Sequence, residues 1–131
     1  MGKIEFRILK KIECVHAIGT GNIDFDYMIN RAKYIHNHPD VELSFNHFID
    51  YENVVIAYTD KGFESYMPFF EELQKSKIHR KWAVYTKNEI THRTVNMHHL
   101  FKSGEIEVEV FQNRERALAF LGITEEDLAD Y

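Results

Sequence analysis

Apolar residues recur at every second position in some stretches of this chain and at helical spacing in others, and the two patterns alternate along its length. That alternation constrains the fold most. A strand with one buried face has a period of two, and a helix lying on a sheet has a period of 3.6. The first stretch sets Ile4, Phe6 and Ile8 against Glu5, Arg7 and Leu9, and Ile12, Cys14, His16 and Ile18 continue the period. Lys10-Lys11 serves as a tight connection, so the chain is expected to open with a hairpin. Gly19-Thr20-Gly21-Asn22 is expected to stop the second strand. Asp24 then starts a helix with Phe25, Met28, Ile29, Ala32 and Ile35 on one stripe, ended by His38-Pro39-Asp40 because a residue before proline leaves the α region.

Leu43 to Tyr58 reads as β structure with a polar break at Tyr51-Glu52-Asn53. Thr59 or Asp60 can cap a second helix carrying Phe63, Tyr66, Met67, Phe70 and Leu73, with Pro68 either kinking it or opening a separate segment. Trp82-Ala83-Val84-Tyr85 is a short strand, and Asn88 caps a third helix through Ile90, Thr94, Met97 and Phe101, ended by Gly104. Glu105 to Phe111 alternates most cleanly: Ile106, Val108 and Val110 should be buried, and Glu105, Glu107 and Glu109 exposed. Asn113 caps a short helix with Ala117, Leu118 and Leu121 inward and Gly122 as its stop, and Thr124 with Asp127 forms a capping box for a tail helix. The order β-β-α-β-α-β-α-β-α predicts an α/β domain. Its sheet is mixed and mostly parallel, of four or five strands, flanked by about four helices.

At 131 residues and 44% hydrophobic composition the chain is one domain with enough apolar area for a core that needs no staples. Its net charge of −5 has the wrong sign for phosphate-driven affinity, so nucleic acid is excluded as the expected partner. A lone Cys14, a charged and alternating start, and no run near the roughly 18 to 20 apolar residues of a membrane span point to the cytoplasm. Peripheral membrane contact stays open.

Eight histidines invite a metal reading. Their spacing argues against it, since His36 and His38 flank a helix end and the adjacent His98 and His99 point about 100° apart on a helix. Cys14 reads as a small buried hydrophobe, and Gly19-Thr20-Gly21 lacks the remainder of a phosphate loop. No serine elbow is present, so no catalytic residue, metal or cofactor is implied. Asp50, at an expected strand end, together with Thr59, Asp60 and Lys61 at a helix start, is the best candidate binding site, because ligands collect where strand ends face helix N-termini. Phe63, Tyr66 and Phe70 extend it as an aromatic patch suited to an apolar ligand, a protein partner or a homodimer face. The competing reading is an enzyme or metal protein in which His47, Asp50 and His98 or His99 converge.

The stretches Ala32-Lys33-Tyr34-Ile35-His36-Asn37-His38-Pro39-Asp40, Phe48-Ile49-Asp50, Trp82-Ala83-Val84-Tyr85, Val108-Glu109-Val110-Phe111 and Arg116-Ala117-Leu118-Ala119-Phe120-Leu121-Gly122 resemble the SpoIIAA-like group of bacterial proteins in the STAS superfamily. The resemblance spans about residues 3 to 122. It implies a single STAS-like domain over 1–122, with 123–131 as a C-terminal tail. Anti-sigma-factor antagonists of that superfamily carry a phosphorylated serine in an Asp-Ser-Ser-Gly turn, where this chain has Thr59-Asp60-Lys61-Gly62, without the serine pair. The group is also similar to the SEC14 lipid-transfer fold. The resemblance therefore implies a non-enzymatic module that binds a protein partner or a small apolar ligand.

Overall fold

The computed structural model describes residues 2–57, 60–89, 92 and 105–129, without the side chains of 57, 60–63, 65, 66 and 74. Five strands form one sheet in the order β1-β2-β3-β4-β5: β1 Lys3–Leu9, β2 Cys14–Asp24, β3 Asn46–Ala57, β4 Arg80–Tyr85 and β5 Ile106–Phe111. The β1/β2 hairpin is antiparallel, closed by a 3-10 turn at Lys10–Ile12 and by Glu13 in the left-handed region (φ 50). The remaining pairs are parallel. Parallel neighbours need crossovers, and two of these supply described helices, α1 Phe25–His36 and α2 Asp60–Gln74; α3 Arg114–Leu121 and α4 Glu125–Ala129 follow the last strand. The mixed, mostly parallel sheet, with four helices among the described residues, is the architecture the alternating pattern predicts. The expected third helix after Asn88 falls largely outside the described residues.

Helices cover both faces of the sheet. On one face Val15, Ala17, Tyr51, Trp82, Val84, Ile106 and Val108 pack with Phe25, Ile29 and Ile35 of α1 and Phe70 of α2. On the other, Leu9, Cys14, Phe48, Ala83 and Tyr85 meet Ala117, Leu118 and Leu121 of α3 and Leu128 of α4. The C-terminal tail is thus docked by Leu128. Local signals place the helix ends: Asp24 accepts from the Tyr27 N–H at 2.7 Å, and Asn113 accepts from the Arg116 N–H at 2.9 Å. Thr124 and Asp127 exchange bonds of 2.8 and 3.2 Å as a capping box, and Gly122 ends α3 with φ 71. In β5, Ile106 and Val108 are buried, Val110 packs against the same core half-buried, and the three glutamates are only partly exposed.

Two expectations are corrected at a single point. β2 does not stop at Gly19-Thr20-Gly21-Asn22, and β3 does not break at Tyr51-Glu52-Asn53. Ile18 pairs with Asp50 and Thr20 with Asn53, so Tyr51 and Glu52 together oppose Gly19 in a β-bulge. The extra residue changes the phase of β3. His47, Ile49 and Tyr51 point toward α1 and α2 before it, and Val54 and Ile56 do so after it. Gly19 is required there, since a Cβ would lie 2.8 Å from Tyr51 Cδ1 and from Val54 Cγ2. Pro68 lies inside α2 rather than dividing it.

A Gly19→Ala variant is expected to lose about 1 to 3 kcal/mol through overpacking at the bulge, read from denaturant melts. An unchanged midpoint would show that Tyr51 and Val54 can yield.

Candidate functional site

The face under α1 and α2 carries a cavity of about 100 Å³. Ala17 on the sheet and Ala32 on α1 are small, which leaves room between the layers. Ile29, Ile35, Ile49, Tyr51, Val84 and Phe69 form much of an apolar wall. At one side three polar-edged rings gather. His36 of α1 stacks on His47 of β3 with centroids 4.8 Å apart and an angle of 9°. Trp82 of β4 lies 5.4 Å from each. His47 and Trp82 are register partners, so the parallel pairing sets them side by side. Phe69 meets His36 edge-on at 5.7 Å, and Phe70 meets Trp82 edge-on at 5.9 Å.

His36 Nδ1 donates to the Ala32 carbonyl at 2.8 Å, which leaves Nε2 as the lone-pair nitrogen of a neutral ring. Burial lowers the His36 pKa, with the nearby Arg80 charge adding to it and the Ala32 bond opposing it. Burial also drives His47 well below the usual value, aided by His36 and Arg80. Both rings are neutral at pH 7. Arg80, 1% exposed, turns its guanidinium to the end of α2, donating to Ile78 O at 2.9 Å, Ser76 Oγ at 3.2 Å and Leu73 O at 3.4 Å.

The opposite face carries a row of charges. Arg7 Nη2 donates to His16 Nδ1 at 3.0 Å, so the His16 ring proton sits on Nε2, 3.6 Å from Asp50 Oδ2. Arg114 Nη1 donates to Asp50 Oδ2 at 2.7 Å, and its Nε donates to both oxygens of Glu125 at 2.8 and 3.1 Å. The Arg114 guanidinium also lies over the Phe48 ring at 5.2 Å. Tyr85 OH donates to Glu52 at 2.8 Å, and Lys87 pairs with the same carboxylate at 3.3 Å. Burial works to raise the Asp50 pKa, but His16 and Arg114 more than offset it and hold the carboxyl below its usual range. A general base needs a free lone pair, and the His16 lone pair is taken by Arg7. The row clasps α3 and α4 onto the sheet rather than moving protons.

The residues predicted for one site are therefore divided. Asp50 faces the start of α3, while α2, which carries Asp60, Lys61, Phe63, Tyr66 and Phe70, covers the other face. Phe70 is core at 3% exposure. The side chains of Asp60, Lys61, Phe63 and Tyr66, and all of Thr59, lie outside the described residues. His47 and Asp50 point to opposite faces and do not converge, and His98 and His99 lie outside the described residues. Burial pushes the Cys14 thiol up to about 12, in keeping with its reading as a buried hydrophobe. No group of three metal-ligating side chains is found among the described residues. Sequence reasoning missed the His36, His47 and Trp82 cluster, whose members are far apart in the chain. The only local hint was an imidazole on the buried phase of a strand.

This fold defines a SpoIIAA-like α/β domain. The chain is similar, at a TM-score of 0.59 and 13% identity over 92% of its length and 95% of the other, to the crystal structure of an uncharacterised protein of the DUF3478 family with a SpoIIAA-like fold from Shewanella loihica PV-4. That likeness shows the fold. No family model and no curated protein matches the sequence. No described helix is long and apolar enough to cross a membrane.

Arg114→Ala leaves the largely buried Asp50 carboxylate without its cation and is expected to cost about 1 to 3 kcal/mol, whereas Glu125→Ala, at an exposed site, should cost about 0 to 1 kcal/mol. Equal losses in urea melts would refute the clasp.

The two histidines also set a pH dependence. Their folded pKa values lie below the ordinary 6.5, so the unfolded chain binds more protons as pH falls through that value. Stability is full above about pH 6.5 and declines toward the folded values, and Asp50 removes more at still lower pH. Melts at pH 7.5 and 5.5 should show the lower midpoint at 5.5, with a smaller difference in a His47→Phe variant; an equal difference would exclude His47.

Proposed function

We propose that this chain is a non-enzymatic STAS-like module that binds a small apolar molecule in the cavity between the sheet, α1 and α2. The cavity carries this reading. Its wall is mostly apolar, with Arg31 and the His36, His47 and Trp82 rings among its few polar groups, the usual make-up of a small-molecule site. Its volume of about 100 Å³ approaches the ~150 Å³ of a cavity known to hold a benzene ring, so a single-ring molecule is the right size. Half-buried Ala32, His36 and Phe69 border it, giving a ligand a route between the two helices. The His16 and Asp50 pair, the arrangement nearest to catalytic machinery, lies on the other face with its imidazole lone pair occupied.

A protein partner has a weaker footing. The large apolar side chains exposed among the described residues, Tyr34, Leu43, Val55 and Ile78, stand on four separate segments.

Trp82 is the single tryptophan of the chain and lines the cavity, so its fluorescence reports directly on occupancy. Titration with toluene is expected to give a saturable change, and Ala32→Phe, which fills the space, should abolish it while the protein stays folded. A linear response, or the same curve in the filled variant, would sink the reading.

A further inference from the structure

Among the described residues, Trp82 Nε1 and His36 Nε2 are both buried and both lack a hydrogen-bond partner. Buried polar groups are nearly always paired, so two unpaired ones on the wall of one cavity call for a cause. The two rings are 5.4 Å apart and yet do not bond to each other. Their chemistry is complementary in kind. The indole N–H can only donate. His36 Nε2 can only accept, because the ring proton is already given from Nδ1 to Ala32 O. One hydroxyl group satisfies both, its oxygen accepting from Trp82 while its hydrogen goes to His36.

Resting on the cavity reading above, we propose that the ligand is a neutral, hydroxyl-bearing apolar molecule whose hydroxyl bridges Trp82 Nε1–H and His36 Nε2. An acidic head fits less well. A carboxylate can only accept, so at this corner it would set its charge against the lone pair of His36. Of the two guanidiniums on this face, Arg80 has spent its Nη groups on Leu73, Ser76 and Ile78, and Arg31, which lines the cavity, gives its Nε to the Ile4 carbonyl and lies over the Phe6 and Tyr34 rings. A purely apolar ligand would leave both ring nitrogens unpaired in a drier environment, which is the basis on which hydroxyl-reading sites reject analogues that lack the group. His47, stacked on His36, holds that imidazole in place and belongs to the same wall.

Three probes of one size separate the outcomes: toluene, benzyl alcohol and benzoate, each titrated against the intact chain by Trp82 fluorescence and by the indole N–H resonance. Benzyl alcohol is expected to bind about tenfold more tightly than toluene, the worth of a net hydrogen bond or two. It should also move the single indole N–H resonance downfield, which toluene should not. His36→Phe keeps the ring and removes the acceptor, so it should erase most of the advantage and retain toluene binding. Should that variant not fold, the indole resonance of the unmodified chain still decides. Equal affinity for toluene and benzyl alcohol, or tightest binding of benzoate, overturns the hydroxyl assignment and leaves the cavity reading standing. Failure of every probe to bind overturns both.

Discussion

The fold depends on the pairing of β2 with β3, and that pairing works because of one extra residue. Tyr51 and Glu52 sit opposite Gly19, so β3 changes phase midway and presents His47, Ile49 and Tyr51, then Val54 and Ile56, to the same helices. Without the bulge, a strand of this sequence would bury one half on each face. Gly19 permits it by having no side chain where the Tyr51 ring passes. The seam holds the antiparallel hairpin to the parallel strands and puts β4 in the register that sets Trp82 beside His47.

The two faces use their polar groups differently. Under α3, the Asp50 carboxylate is met by Arg114 and neighbours His16, His16 is held by Arg7, and Arg114 also reaches Glu125. Asp50, Arg114 and Glu125 each have an opposite charge beside them, as a low-dielectric setting demands, while Arg7 Nε and His16 Nε2 are buried without a hydrogen bond. Under α1 and α2, Arg80 is spent on the end of α2 and Arg31 reaches the Ile4 carbonyl, and two nitrogens of the neutral rings, His36 Nε2 and Trp82 Nε1, have no partner beside the cavity. The ion pairs of Arg114 hold α3 and α4 onto the sheet. An open donor and acceptor beside apolar space is what a recognition site offers, and on that ground the proposed binding site lies on the α1 and α2 face.

That placement has a mechanical counterpart. The cavity lies between the sheet, α1 and α2, while the clasp of Arg114 fixes α3 and the tail on the far side of the sheet. Movement of α1 against α2 to admit a ligand would disturb neither the β2/β3 seam nor the clasp. Arg80 ties the end of α2 to β4 from within, so α2 is anchored at its C-terminal end.

Much of the architecture was legible in the sequence because it follows from contacts within a few residues. Asp24, Asn113 and the Thr124 and Asp127 pair cap their helices by bonds three residues long, and Gly122 ends α3 by its own backbone freedom. The alternation of Ile106 and Val108 with glutamates set the inner face of β5. The sequence alone thus determined the α/β class, the single sheet and most helix ends. Only the tertiary structure decided the rest, because it turns on register between distant strands. Tyr51-Glu52-Asn53 reads as a break until Gly19, some thirty residues earlier, is seen opposite it as the partner of a bulge. His47 and Asp50 are close in sequence but have opposite strand parity, so the sheet separates them. His36, His47 and Trp82 come from three elements, and no local pattern could show that their packing leaves one donor and one acceptor facing a shared cavity.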